Sequence, residues 1–252
     1  MSNFSSLKPA ALVRRFARNR SGRDLLVGDI HGHFTKLQGA LDAVGFAPGD
    51  GDRLFSVGDL VDRGPESHLA LAWLDQPWFF AVAGNHEDFA IRWPNGHMDA
   101  GHYADNGGAW NVANLPQESL AFADAFRDLP IAMELDTAEG LVGIVHADCP
   151  YALWQFFTAS LENPDTTKSH RAALISAAQW SRDRVKAGFD GHVEGVRAVV
   201  VGHTPMERVT SLGNVLFIDT GAWLPPERGI RPFAILDAAT LRPAASPIPG
   251  GW

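Results

Sequence analysis

Gly58-Asp59-Leu60-Val61-Asp62-Arg63-Gly64 follows the apolar run Arg53–Val57, and its crowding of acids, arginine and glycine at the end of that run governs how the chain is read. A short run rich in Leu, Phe and Val that stops at glycine predicts a buried strand. Polar residues massed just beyond it lie where open α/β sheets bind ligands, outside the carboxyl ends of their strands. The arrangement recurs four times. Asp24–Val27 runs into Gly28-Asp29-Ile30-His31-Gly32, and Trp78–Ala83 into Gly84-Asn85-His86-Glu87. Leu141–Val145 runs into His146-Ala147-Asp148, and Val196–Val201 into Gly202-His203-Thr204. Five such strand ends predict one shared site.

The residue types at these ends suit a pair of divalent cations. Carboxylate and imidazole favour borderline metals such as manganese, iron or zinc, and a chain with one cysteine offers no thiolate set for softer ions. Two cations held about 3.5–4 Å apart need a ligand that reaches both, which a carboxylate can be. Asp59 is the natural bridge; Asp29 and His31 would complete one shell, and Asn85, His146 and His203 the other. Each element alone reads more simply. Asp-x-His is commonly a turn cap beside a satisfied histidine, Gly-Asn-His-Glu a helix-capping turn, and Asp62-Arg63 a local ion pair. Their joint occurrence, in order and each at a strand end, is what a purely structural reading does not explain.

Between the first two runs, Leu37, Ala40, Leu41 and Val44 recur at helical spacing and predict a helix over Thr35–Val44; a second is predicted over Glu66–Leu74. A further strand is expected at Val215–Ile218. The fold class is therefore α/β, with a second or antiparallel sheet toward the C-terminus. Trp93–Leu115, with Pro94, Gly96, Gly101, Gly107 and Gly108, reads as a loop that rims the site or inserts at the surface. Trp110 within it either shapes that rim or packs.

The chain's 252 residues can bury one large core. Six basic residues (Lys8, Arg14, Arg15, Arg18, Arg20 and Arg23) precede the first acid, leaving 15 of the 21 basic side chains against all 29 acidic ones. Residues 1–23 are accordingly expected to be a solvated basic arm or a first helix, and residues 24–252 a single catalytic domain. The acidic body argues against nucleic acid as a partner, since phosphate backbones need clustered positive charge. No apolar run reaches the length of a membrane span, and no apolar segment follows the basic residues as a secretory leader requires. The lone Cys149 excludes an intramolecular disulfide, and a cytoplasmic setting fits. Cys149 is expected to be a buried, inert thiol.

With these motifs assembled, the sequence resembles the calcineurin-like metallophosphoesterases, and within them the phosphoprotein phosphatases, most nearly the bacterial and phage serine/threonine phosphatases of the bacteriophage lambda type. Asn106-Gly107-Gly108-Ala109-Trp110, Trp180-Ser181-Arg182-Asp183-Arg184, Gly202-His203-Thr204-Pro205 and Ile218-Asp219-Thr220-Gly221-Ala222 extend the likeness, which covers Leu25 to Trp223. The resemblance implies two mixed β-sheets packed as a sandwich flanked by helices. It implies two divalent metal ions, expected to be Mn2+ with Fe, Zn or Ni as alternatives, on Asp29, His31, Asp59, Asn85, His146 and His203. It implies His86 as catalytic acid held by Asp62, and Arg63 and Arg182 as grips on the phosphoryl oxygens; Arg184 stands beside that position rather than at it. The implied reaction is direct hydrolysis of phosphate monoesters by a dimetal-bound hydroxide, on a phosphorylated protein or a small phosphoester. A symmetrical diadenosine tetraphosphate hydrolase is the first alternative, although those relatives tend to lack the acid at Asp62 and to have Asp where Glu87 stands. A non-catalytic phosphate-binding scaffold is the second, and it predicts a missing ligand or acid where none is missing.

Overall fold

Short apolar runs with both faces buried make the central strands of this chain. The computed structural model describes residues 11–229 and 231–244. The strands are β1 (Val13–Phe16), β2 (Asp24–Val27), β3 (Arg53–Ser56), β4 (Phe79–Ala81), β5 (Ala132–Thr137), β6 (Gly140–Val145), β7 (Ala198–Val201), β8 (Thr210–Leu212), β9 (Val215–Phe217) and β10 (Ile235–Asp237). The helices are α1 (Phe34–Ala43), α2 (Ala70–Leu74), α3 (Asn85–Arg92), α4 (Ala100–Tyr103), α5 (Ala109–Val112), α6 (Pro116–Arg127), α7 (Trp154–Glu162), α8 (Lys168–Trp180) and α9 (Asp183–Ala187). No helix among the described residues is long and apolar enough to cross a membrane.

Two mixed sheets form, one in the order β1-β5-β6-β7-β9-β8 and the other β10-β2-β3-β4. In the smaller sheet β2, β3 and β4 run parallel and β10 closes one edge antiparallel to β2. In the larger sheet β6 runs parallel to β7 and β7 to β9, while β5 pairs antiparallel with β6 and β8 with β9. Successive residues point to opposite faces of a strand, and this alternation divides the core into layers. Leu26 and Phe55 of the smaller sheet meet Met133, Leu135, Val142, Ile144 and Val200 of the larger one. Leu25, Val27 and Leu54 face the other way, onto Phe34, Leu37 and Leu41 of α1 and Phe122 and Phe126 of α6. Val145, Val199 and Val201 likewise face Trp154 and Phe157 of α7 and Leu174 and Ala178 of α8. A sandwich with helices outside buries every central strand twice, which is why their sequences are nearly continuous apolar runs rather than alternating ones.

The basic N-terminal segment departs from the expected solvated arm or first helix. Val13–Phe16 is an edge strand paired in parallel with Ala132–Leu135 and so belongs to the larger sheet. Its arginines are engaged with the acidic body. Arg15 bonds Glu162 at 2.8 Å and Glu134 at 2.6 Å, Arg18 bonds Asp136 at 3.0 Å, and the Arg14 guanidinium lies 4.8 Å from the centre of the Phe80 ring. The ladder to Ala132–Leu135 and the burial of Val13, with these ion pairs to distant segments, hold this strand, rather than any local pattern. Lys8 and the Pro-rich tail from residue 245 lie outside the described residues.

Trp93–Leu115 also differs from the expected loop. A 3₁₀ turn (Trp93–Asn95), α4, a kinked turn at 104–108 and α5 follow one another. Gly107, at φ 95°, breaks the helical path between α4 and α5, so no long apolar period exists to be read.

The first crossover is fastened by a buried carboxylate. Asp52 accepts hydrogen bonds from the Arg23 backbone N at 2.7 Å, Arg23 Nη2 at 2.6 Å and the Ala47 backbone N at 3.0 Å. Burial alone raises such an acid, but these donors outweigh it and hold Asp52 below the usual carboxylate range. A depressed folded-state value adds stability that is present above the unfolded value of about 4 and lost as pH falls through the folded one. Asp52→Ala is expected to lower unfolding free energy by about 1–3 kcal/mol at pH 7. Denaturant melts of both proteins should converge toward pH 2, and a gap that stayed constant with pH would contradict the charge-based account.

Candidate metal centre

Five loops meet at the carboxyl ends of β2, β3, β4, β6 and β7, and backbone hydrogen bonds lock the first two together. Ile30 N and His31 N both donate to the Asp59 carbonyl at 3.0 and 2.8 Å, and Gly32 N donates to the Leu60 carbonyl at 2.8 Å. The turns are sharp. His31, Asp59, Asp62, Arg63 and His203 all have positive φ, between 44° and 70°, and among the described non-glycine residues only Leu241 shares this conformation. Left-handed backbone costs on the order of 1–3 kcal/mol for such residues and persists only where surroundings enforce it.

Buried ligand-type side chains converge here. Asp59 Oδ2 lies 3.5 Å from His31 Nε2 on one side and 3.3 Å from His146 Nε2 on the other. Asn85 Oδ1 lies 2.9 Å from His146 Nε2 and 2.8 Å from His203 Nδ1. The far ring nitrogens fix the tautomers, because each faces a carbonyl that can only accept. His31 Nδ1 donates to the Val61 carbonyl at 2.9 Å, His146 Nδ1 to the Val57 carbonyl at 2.8 Å, and His203 Nε2 to the Trp180 carbonyl at 3.2 Å. Each imidazole thus turns its lone pair toward Asp59 and Asn85, the arrangement that outer hydrogen bonds commonly impose on metal-binding histidines. Asp29 accepts from the His203 backbone N at 3.0 Å. Glycines give room for this approach: a Cβ on Gly202 would collide with the Asp29 carboxylate, and one on Gly84 with Asp59.

Burial and close neighbours pull these groups in different directions. Burial and the adjacent His86 push His31 well below its ordinary value, and burial with His146 beside it pushes His203 down to about 3. Burial lowers His146 too, but Asp59 more than offsets it and the imidazole is raised. Burial raises Asp59, yet His146 and His86 outweigh that and hold it well below the carboxylate range. Asp29 is driven well above its ordinary value by burial and by Asp219 and Asp59. Imidazole nitrogens 3.3–3.5 Å from an Asp59 oxygen and 2.8–2.9 Å from the Asn85 amide oxygen fit cations bound by O and N donors. Two overlapping groups bring candidate ligand atoms together, His31 with Asp59 and His86, and Asp59 with His146 and His203, and Asp59 belongs to both.

His86, a member of the first group, also pairs with Asp62. His86 Nδ1 is 2.7 Å from Asp62 Oδ2, and His86 Nε2 is 3.1 Å from Arg63 Nη2. The other Asp62 oxygen accepts from Trp110 Nε1 at 2.7 Å and from the Tyr103 hydroxyl at 3.2 Å. Arg182, at the α8–α9 junction, donates to the His203 carbonyl at 3.3 Å. All ten residues singled out in the sequence therefore stand in this one region or bond directly to it. Arg184 points elsewhere: its Nε bonds Asp148 at 2.9 Å and it closes on the carbonyls of Phe189 and Gly191.

Sequence reasoning left four contributors without a role. Glu87, fully buried, accepts the backbone N–H groups of Asp59, Leu60 and Gly84, each at 2.8 Å; burial and Asp59 push it up to about 7. Asp219, raised to about 6 by burial, accepts from Gly221 N at 2.8 Å and faces the Trp223 indole N–H. Both acids lie inside motifs that were legible, Gly-Asn-His-Glu and Ile-Asp-Thr-Gly-Ala, whereas Tyr103 carried no local signal. Trp223 lies 4.6 Å from the His31 ring, at the last matched residue.

Three comparisons bear on this geometry. The calcineurin-like phosphoesterase family matches residues 23–207. Serine/threonine-protein phosphatase 1 of Salmonella typhimurium is 33% identical over 220 residues, 86% of this chain and 94% of its own length. A symmetrical bis(5'-nucleosyl)-tetraphosphatase of a Shewanella species is 34% identical over 163 residues, which is 64% of this chain and 53% of that protein. A solved serine/threonine phosphatase from Saccharomyces cerevisiae superposes with a TM-score of 0.55 at 17% identity, covering 82% of this chain and 70% of that one, and supports the fold. With the two-sheet sandwich and the converging acids and histidines, these findings place the chain in the calcineurin-like phosphoesterase family, a family of metal-dependent hydrolases.

Proposed function

We propose that this hydrolase is a phosphomonoesterase acting on phosphoserine or phosphothreonine in proteins. The observation that carries the reading is the buried Asp62–His86 pair, with Asp62 held from its other side by Tyr103 and Trp110. A serine or threonine alkoxide is a poor leaving group, and a positioned acid of this kind typically contributes about 10²–10⁴-fold. Asp29, His31, Asp59, Asn85, His146 and His203 would hold two divalent cations, Asp59 bridging, with manganese first among the O- and N-binding candidates. The cations would supply an activated water and neutralise phosphoryl charge. Arg63 and Arg182 would hold the phosphoryl oxygens, for which a planar guanidinium offers paired donors. His86 Nε2 stands beside Arg63, so the acid faces the group that the arginine holds. Asp62 orients the ring.

The Shewanella relative favours a second reading, hydrolysis of diadenosine tetraphosphate. A phosphoanhydride releases a stable phosphate and draws less benefit from an acid at His86. Arg63 and Arg182 do not separate the two readings, because either substrate presents phosphoryl oxygens. The tryptophans at the rim could stack a base, which is what the dinucleotide reading would use.

Protein stripped of metal by strong chelation is expected to lose its phosphatase activity and to regain it with Mn2+, elemental analysis finding up to two ions per chain. Full turnover in the stripped protein would remove metal from the account.

His86→Asn is expected to leave metal content unchanged and to lower kcat by about 10²–10⁴-fold on alkyl phosphates. On nitrophenyl phosphate, whose leaving group needs little protonation, the loss should shrink. An equal loss across a series of leaving groups would show that His86 is not the acid.

Manganese-loaded protein should cleave phosphoserine or phosphothreonine peptides with a higher kcat/KM than diadenosine tetraphosphate. A preference of more than tenfold for the dinucleotide would decide for the second reading.

A further inference from the structure

Arg63 is a long, exposed side chain at the edge of a buried centre, yet its head group is held in place. Its guanidinium carbon lies 4.1 Å from the centre of the Trp223 ring system, the closest cation–aromatic approach among the described residues. Its Nη2 is 3.1 Å from His86 Nε2, and its backbone N donates to the Gly107 carbonyl at 3.1 Å. Trp223 is itself fixed by neighbours. Its indole N–H faces the two Asp219 oxygens at 3.3 and 3.4 Å, and Asp219 also takes the Gly221 N–H at 2.8 Å. Leu224 N closes the turn onto the Gly221 carbonyl at 3.0 Å, with Gly221 at φ 68°. The His31 ring meets the indole at 4.6 Å and 69°.

We propose that Trp223 is a positioning residue that presents Arg63 to the phosphoryl group, so that the chain binds phosphate with an arginine already ordered. The proposal rests on the phosphoesterase reading of Arg63 given above. A guanidinium stacks through its face and hydrogen-bonds through its edge, so contact with Trp223 leaves the donors in the guanidinium plane available to oxygens. Without that wall an exposed arginine must be ordered on binding, and fixing a side chain rich in rotamers weakens binding. His86 bounds the head group on one edge and Trp223 covers one face, which leaves the remaining edge for an oxyanion. A purely structural alternative has Trp223 packing against His31 and stabilising the metal site, with Arg63 incidental.

The test is a double-mutant cycle on Mn2+-loaded protein with Trp223→Leu, Trp223→Phe and Arg63→Ala. It reads metal content, the calorimetric Kd for inorganic phosphate, and kcat and KM for nitrophenyl phosphate. Trp223→Leu is expected to raise both the phosphate Kd and KM about 3- to 10-fold, the range that a cation–aromatic contact supplies, while metal content stays unchanged. Trp223→Phe, which keeps an aromatic face but loses the N–H, should recover most of the loss. In the Arg63→Ala background, Trp223→Leu should add nothing further. Independent, multiplying losses would overturn the proposal, as would loss of bound metal in Trp223→Leu, which would show that the indole acts through His31. If Arg63→Ala alone changes neither phosphate affinity nor KM, the assignment of Arg63 as a phosphoryl grip fails first, and that outcome is distinct from a failed cycle.

Discussion

A buried carboxylate that takes three backbone N–H groups organises this molecule. Glu87 takes the amides of Asp59, Leu60 and Gly84, so the loop after β3 and the start of α3 are pinned to one side chain. The same Asp59 offers its carbonyl to Ile30 and His31, and its Oδ1 to the His86 amide. Three loops from three parallel strands therefore share a single residue as their junction. The left-handed conformations of His31, Asp59, Asp62 and Arg63 follow from this junction, since each turn must double back over a short distance to reach it. Such strain is held locally by directed hydrogen bonds and globally by a sandwich that buries β2 and β3 on both faces.

The junction also explains how one site holds groups with opposed electrostatic demands. Desolvation works against every charge at the centre, yet His146 and His86 hold Asp59 well below the carboxylate range. Each of His31, His146 and His203 donates its outer N–H to a carbonyl, which leaves the inner nitrogen with a lone pair. His86 differs in kind. Its Nδ1 meets a carboxylate rather than a carbonyl, and that carboxylate is itself braced by Tyr103 and Trp110. A histidine that donates to a carboxylate can carry and release a proton, whereas one that donates to a carbonyl is better suited to binding a cation. The division of labour proposed for these four residues rests on what stands behind each ring.

Much of this was legible in the chain because the informative features are local. Asp24–Val27 was expected as a strand and is one, and the helix expected at Thr35–Val44 runs from Phe34 to Ala43. Each of the five strand ends carries its polar residues within a few positions of an apolar run, so their convergence follows from the fold class alone. What was not legible depends on contacts across the sequence. Val13-Arg14-Arg15-Phe16 has no strand alternation, and it becomes a strand because residues 132–135 and the acids Glu134 and Glu162 receive it. α6 carries its signals in Pro116, Glu118 and the spacing of Phe122 and Phe126. Between Trp93 and Leu115 the turns are too short for any period to emerge, so the bonds from Tyr103 and Trp110 to Asp62 could not be foreseen. Trp223 belongs to the same class: its contact with Arg63 spans most of the chain.

The central claim is that Asp59 joins two cations into one unit. Electron paramagnetic resonance of protein loaded with two equivalents of Mn2+ addresses it directly, because two ions sharing a carboxylate couple magnetically and two isolated ions do not. The account predicts a coupled multiline signal in the native protein, lost in favour of isolated-ion spectra in Asp59→Asn. A native spectrum of uncoupled ions at full loading, or coupling that survives Asp59→Asn, would contradict it.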